Sequence, residues 1–267
     1  MTWTTPPPSS PPTSPSSPRT RQLFVLTQED SRTLFRIPFP DEGPPPTPYF
    51  SYFSEVCCYK DGTNPCANND PVYAWKVFGD PSKLWYSSIP STRPIYHTGG
   101  QNGLPSVDFN GTLHNLLGFG MYSDSEIMEY WLVVDPKNVT GMQMFIGYTP
   151  FFGLMMIATA TPEYNVGYLD LDYYHNVAPP TTGPQLLRFR FDPTLGIATV
   201  WRNNILIGSG TFNHPGPPTA MALASRFDGS QYYAQCNFYA IRRYSALLTP
   251  SQADTVTEEF RAKYALW

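Results

Sequence analysis

The sequence predicts an all-β protein: a two-sheet antiparallel jelly-roll sandwich with a C-terminal helix and an extended Pro-rich N-terminal arm. Three observations predict it. Thirty prolines and nineteen glycines break helices and punctuate strands. From about Val72 onward, short runs rich in Val, Ile, Phe, Tyr and Trp recur between turn residues, the spacing of a sandwich or barrel. Apolar residues make up 41% of the chain and charged residues only 14%, enough apolar mass for one large core.

Three segments follow in order: an arm over residues 1–50, a Cys-containing connector over 51–69, and the sandwich over 70–267. Residues 1–20 are almost only Pro, Ser and Thr. They cannot bury enough apolar area to offset their ordering entropy. Such a segment runs extended and polyproline-like until a partner holds it. Trp3, Pro6, Pro7, Pro8, Phe24 and Phe35 are its candidate docking residues, and 22–26 and 33–37 are two short strand candidates.

In the sandwich, strands are expected at 129–135, 143–148, 154–160, 165–171, 186–191, 197–202, 205–208, 221–224 and 234–242. The run 186–191 alternates polar and apolar in its second half, as a half-exposed strand does. Asp192-Pro193-Thr194-Leu195-Gly196 is a turn, and Asn203-Asn204 is a two-residue hairpin turn, because Asn tolerates left-handed backbone angles. The closing helix has Thr249 as N-cap, Pro250 at the first helical position and Gln252 completing a capping box. Ala253, Val256, Phe260 and Tyr264 then form one apolar stripe to dock on a sheet.

The net charge of −4 and scattered basic residues exclude a non-specific nucleic-acid binder, which needs clustered Lys and Arg. No apolar run approaches the ~18 residues of a membrane span, so no membrane insertion is expected. The opening Met1-Thr2-Trp3-Thr4-Thr5-Pro6 has no basic or apolar stretch of a signal peptide, so synthesis and first residence in a cytoplasm are expected. Of the four cysteines, Cys57 and Cys58 are adjacent and far from any His, against a zinc site. Either of them pairing with Cys66 would close a short loop. Cys236 lies in an apolar run and reads as a core thiol.

Two stretches carry a resemblance. The first runs from Arg93-Pro94 to Gly100-Gln101-Asn102-Gly103-Leu104-Pro105-Ser106-Val107-Asp108-Phe109-Asn110-Gly111, preceded by Trp75. The second runs from Phe227-Asp228-Gly229 through Phe238-Tyr239-Ala240-Ile241 and Tyr244 to Leu247-Leu248-Thr249 and the helix ending at Trp267. Together they resemble the entry and closing elements of concanavalin A-like lectin/glucanase domains of the laminin-G-like type, over about residues 70–267. The resemblance implies a two-sheet jelly roll, with glycan binding common and calcium sometimes present. Where the family often has Glu in its last strand, this chain has Ala240 or Arg242, so no acidic site carries over there.

Glucanases of this fold need paired carboxylates on one strand face. The nearest approach is Asp170-Leu171-Asp172, while Glu126 and Glu129, three apart, point to opposite faces. Solvated or hydrogen-bonded carboxylates account for these acids better than catalysis. Asp108, Asp124, Asp170, Asp172 and Asp228 offer oxygen ligands to calcium, but no spacing fixes a site. Tyr168, Tyr173, Tyr174 and His175, with Tyr148, Phe151 and Phe152, form a candidate sugar platform beside Asp170 and Asp172. Alternation buries about half of these rings in any case, so core or a subunit contact accounts for them better than a platform. Asn110-Gly111-Thr112 and Asn138-Val139-Thr140 match the N-glycosylation pattern by coincidence in an unexported chain.

Modules of this resemblance are frequent in bacteriophage virions, which leave the cell by lysis and need no export signal. The leading expectation is therefore a non-enzymatic virion structural protein: capsid decoration, fibre or tail-associated. Its partners would be other virion proteins and itself, as a homo-oligomer, with trimers common in such proteins and a host-surface glycan as further ligand. The alternative is a free carbohydrate-binding lectin module. A third reading is a glycoside hydrolase or lyase.

Overall fold

The computed structural model describes residues 43–48, 50–54, 58–78, 80–119, 128–148, 152–157, 163–168, 173–178, 181–211, 220–226 and 228–267. Residues 1–42, with the six arm residues named above, lie outside them.

In chain order the strands are β1 (Phe50–Phe53), β2 (Cys58–Tyr59), β3 (Ala74–Val77), β4 (Asp80–Tyr86), β5 (Ile95–His97), β6 (Ser106–Asn110), β7 (Leu116–Phe119), β8 (Met128–Pro136) and β9 (Gln143–Tyr148). Then come β10 (Phe152–Ile157), β11 (Glu163–Tyr168), β12 (Tyr173–Ala178), β13 (Gln185–Asp192), β14 (Ile197–Arg202), β15 (Ile205–Thr211), β16 (Met221–Leu223), β17 (Gln235–Tyr244) and the helix α1 (Pro250–Tyr264). The first sheet has the order β15-β14-β13-β8-β17-β6-β5, with β1 also on β17, making eight strands. The second has nine, in the order β12-β11-β10-β9-β16-β7-β4-β3-β2. The described residues thus form an all-β, two-sheet antiparallel sandwich with one C-terminal helix.

Two apolar layers hold it. Between the sheets lie Trp75, Trp85, Val107, Phe109, Tyr130, Leu132, Val134, Phe145, Phe189 and Phe238. Phe109 and Phe145 both meet Phe238 edge-on, at 5.5 and 6.3 Å. On the outer face of the first sheet, Trp131, Val133, Tyr239 and Tyr244 pack under α1 through Ala253, Val256, Phe260 and Tyr264, the stripe expected from the sequence. The first sheet is therefore covered on both faces at its centre.

That double cover corrects the reading of 186–191 as half-exposed. The charged positions of β13 face the helix side, and Arg188 is 8% exposed. The β13–β14–β15 meander itself forms as expected. Asn203 and Asn204 both take positive φ, 51° and 64°, and the Asn203 side chain accepts from Leu186 N at 2.9 Å.

The sheets also take in residues placed by sequence in the arm and connector. Phe50–Phe53 pairs with β17 from Arg243 to Ala240, and Cys58 pairs with Trp75. Phe50–Phe53 thus lies beside the shorter β6, on the same side of β17. Tyr173–Ala178, expected only as an aromatic cluster, is an edge strand of the second sheet.

Candidate ligand groove

The motif loop after β5 holds the helix. Gln101 Nε2 donates to Tyr264 O at 2.9 Å and Asn102 Nδ2 donates to Lys263 O at 2.8 Å, so the Gln101-Asn102 pair meets carbonyls left over at the helix C-terminus. At the other end the Thr249 hydroxyl accepts from Gln252 N at 3.3 Å, and the Gln252 side chain accepts from Thr249 N at 3.1 Å. One residue earlier, Leu248 N donates to Glu129 Oε2 at 2.7 Å. These ties fix where α1 presents Glu259 and Lys263.

Those two residues line an open groove of about 670 Å³ between α1, β1 and the β3–β4 corner, within the size range of small-molecule sites. Phe53 and Phe78 supply rings, 6.2 Å apart and edge-on. Phe78 is 64% exposed. Around the rings stand Arg242, Glu259, Lys263, Asp80 and Lys83, and Thr47 and Pro48 close one side.

The charges are ordered in advance. Arg242 Nη1 and Nη2 donate to the two oxygens of Glu259 at 2.6 Å each, a bidentate pair. The Arg242 guanidinium lies 5.6 Å from the Phe53 centroid and 4.7 Å from that of Phe260. Lys263 Nζ stands 3.8 Å over Phe53. Lys83 meets Asp80 at 3.3 Å. The Arg242 hydrogen bonds hold the Glu259 carboxyl below its ordinary value. Burial works most strongly against the charge of Arg242, yet its hydrogen bonds to Glu259 and its interactions with Tyr244 and the Glu259 charge together hold its pKa up. The groove thus combines one exposed ring, Phe78, with a held cation–carboxylate pair and the ammonium of Lys263.

The sequence-predicted platform falls elsewhere. Tyr148 lies in the inter-sheet core, 2% exposed, edge-on to Tyr130 at 6.0 Å, and burial pushes its phenol well up. It presents no ring face to solvent, a correction that follows from β9 being buried along its whole length. Tyr173, Tyr174 and His175 sit on β12, an edge strand of the second sheet. Asp170 and Asp172 lie outside the described residues, as do Phe151, Glu126 and Asp124. Glu129 is within the sheet and closed to solvent.

The remaining carboxylates hold turns or neighbours. Asp228 accepts from Ser230 N at 3.1 Å, and Asp108 stands 3.7 Å from His97. Among the described residues no three His, Cys, Asp or Glu side chains gather as a metal site. Asn110 and Asn138, in the two glycosylation-like triplets, accept from the backbone N–H of Thr112 and Thr140 at 3.0 and 2.9 Å. Cys236 is a buried core thiol, pushed well up by burial.

Sequence reasoning missed Phe53, Phe78, Glu259 and Lys263. The one signal was Arg242, noted as a departure from the family's pattern. Its partner sits 17 residues away on the helix, which no local spacing reveals.

No family model matches the chain, and no curated protein matches it. Several solved structures are similar to it at low sequence identity. CBM40 of Ruminococcus gnavus IT-sialidase, bound to α2,6-sialyllactose, is 12% identical over 50% of this chain and 84% of that one, with a TM-score of 0.40. A heptameric SAP-like pentraxin from Limulus polyphemus is 11% identical over 57% and 81%, at 0.47. The binding domain of botulinum neurotoxin serotype G is 10% identical over 80% and 51%, at 0.47. None of the three likenesses carries a residue role to this chain.

Proposed function

We propose that this chain is a non-enzymatic carbohydrate-binding module of the concanavalin A-like type, with its ligand site in the groove between α1, β1 and the β3–β4 corner. The observation that carries the reading is the exposed Phe78 ring beside the fixed Arg242–Glu259 pair. A sugar ring stacks its C–H face on the phenyl groups. Its hydroxyls donate to a carboxylate and accept from Lys or Arg. The test is a glycan array followed by titration with the best hit. Phe78→Ala is expected to weaken binding at least tenfold with folding unchanged. A blank array at millimolar protein, or undiminished binding by Phe78→Ala, removes the groove as the site.

A second reading rests on the composition of residues 1–20. A Pro-rich arm has little ordering entropy left to lose on capture, which suits attachment to neighbouring subunits of a virion. The arm's junction is tied to the sandwich, where Gln252 Nε2 donates to Pro44 O at 3.2 Å. Mass in solution and hydrogen exchange of the full chain decide it. A defined homo-oligomer with residues 1–42 protected supports the assembly role. A monomer whose arm exchanges at random-coil rates opposes it.

A further inference from the structure

Residues 58–66 form a small hairpin whose two ends are cysteines. Tyr59 and Pro65 are antiparallel bridge partners. Lys60 N donates to Asn64 O at 3.0 Å and Cys66 N donates to Cys58 O at 3.1 Å. This register sets Cys58 directly opposite Cys66. Residues facing one another across a hydrogen-bonded antiparallel pair have Cα atoms about 5.5 Å apart, inside the range that a disulfide spans. Opposed residues also share a sheet face. Both side chains meet the inter-sheet core: Cys58 belongs to it at 4% exposure, and Cys66 packs against it.

The loop between them is held independently. Asp61 Oδ1 accepts from Thr63 N at 2.9 Å and Asn64 N at 2.7 Å, and Lys76 Nζ reaches Gly62 O. Lys60 and Asp70 pair across its base at 3.4 Å. The register thus holds the two backbones at a separation that a disulfide spans. Cys57 lies outside the described residues.

We infer that Cys58 and Cys66 are a covalent modification site, joined as a cross-strand disulfide when the chain folds under oxidising conditions. The oxidant is a small-molecule disulfide such as oxidised glutathione. One cysteine thiolate attacks it, forming a mixed disulfide and releasing one glutathione thiolate. The second cysteine thiolate then attacks the protein sulfur of that mixed disulfide and displaces the second glutathione. Two cysteines lose two electrons and two protons in all, and the oxidant gains them as two thiols. In the folded protein the step is slow. Burial, with the nearby charge of Asp70, pushes the Cys66 thiol up to about 12, so little thiolate is present at neutral pH. The bond is made during folding and afterwards protected, which marks it as structural.

The test is to refold the full chain in a glutathione redox buffer, block remaining thiols with iodoacetamide after denaturation, and map peptides by mass. The expected product carries a Cys58–Cys66 link, forms equally in Cys57→Ser, and melts about 5 °C above its reduced form. Cys66→Ser, at a half-buried position, should fold and abolish that difference. Alkylation of both Cys58 and Cys66 in the refolded sample overturns the inference, as does a link from Cys66 to Cys57 or Cys236.

Discussion

Glu129 and Arg188 form an ion pair closed to solvent on the helix-facing side of the first sheet. Glu129 Oε1 accepts from Arg188 Nε at 2.9 Å and from Nη2, while Glu129 Oε2 takes Leu248 N. The guanidinium lies between two indoles that are its direct cross-strand neighbours, 5.0 Å from Trp131 and 4.2 Å from Trp201. One carboxylate thus ties the strand pair to the loop that launches α1. Removing one partner of a buried pair strands the other charge, at a cost of about 3–5 kcal/mol. Glu129→Ala should lose about that much in urea unfolding. The double change Glu129→Gln with Arg188→Met should recover most of it, because the same volume is then filled without a charge. A loss below about 1 kcal/mol in the single variant would mean that water reaches Arg188.

At Gly100 the loop that receives the helix C-terminus has no spare room. A Cβ on Gly100 would stand 2.7 Å from Tyr239 Cε1 and 2.9 Å from the Leu104 carbonyl oxygen, and a backbone oxygen cannot step aside. Gly100→Ala should therefore destabilise by about 1–3 kcal/mol, the range of overpacking. Gln101→Ala, which only frees carbonyls near the surface, should cost about 1 kcal/mol. Thermal melts of the two variants check the order. A Gly100→Ala variant as stable as the parent would show that the loop can shift.

These two cases mark what the sequence makes legible. Local signals transferred well: the Asn203-Asn204 turn, the Thr249–Gln252 capping box and the Val256, Phe260, Tyr264 stripe are patterns of two to nine residues, and each forms as read. The Gly100–Gly111 motif was legible as a fold marker, though not as the helix clamp that Gln101 and Asn102 make of it. The groove was not legible, because Phe53, Phe78, Arg242 and Glu259 come from four distant segments. Tyr148 misled for a related reason. An aromatic at the end of a strand reads alike whether its face is wet or dry, and only the second sheet decides.

The turn between β14 and β15 isolates backbone from side-chain effects. Asn204 has φ of 64°, a region that β-branched residues resist, and little packs on the neighbouring Ile205, which is 69% exposed. Asn204→Val should cost about 1–2 kcal/mol, and Asn204→Gly should lie within about 0.5 kcal/mol of the parent. Equal losses in both variants, read from urea midpoints, would place the effect in the side chain instead.

The Arg242–Glu259 pair links groove chemistry to pH. Hydrogen bonds from Arg242 lower the Glu259 pKa in the folded chain from an ordinary 4.5. A group depressed by folding contributes stability that is present above its unfolded pKa and is lost as pH falls through the folded value. Stability from this pair should therefore be constant from neutral pH down to about 4.5 and decline below it. Because the Glu259 side chain is 49% exposed, solvent screening keeps the effect small. Glu259→Gln should flatten that part of the acid limb in urea unfolding measured from pH 6 to 3. Ligand binding should follow the same carboxylate: weaker by several-fold at pH 3.5 than at pH 6 in the parent, and insensitive over that span in Glu259→Gln. A parental pH dependence that persists in the variant would assign the titration to another acid, with Asp80 the next to test.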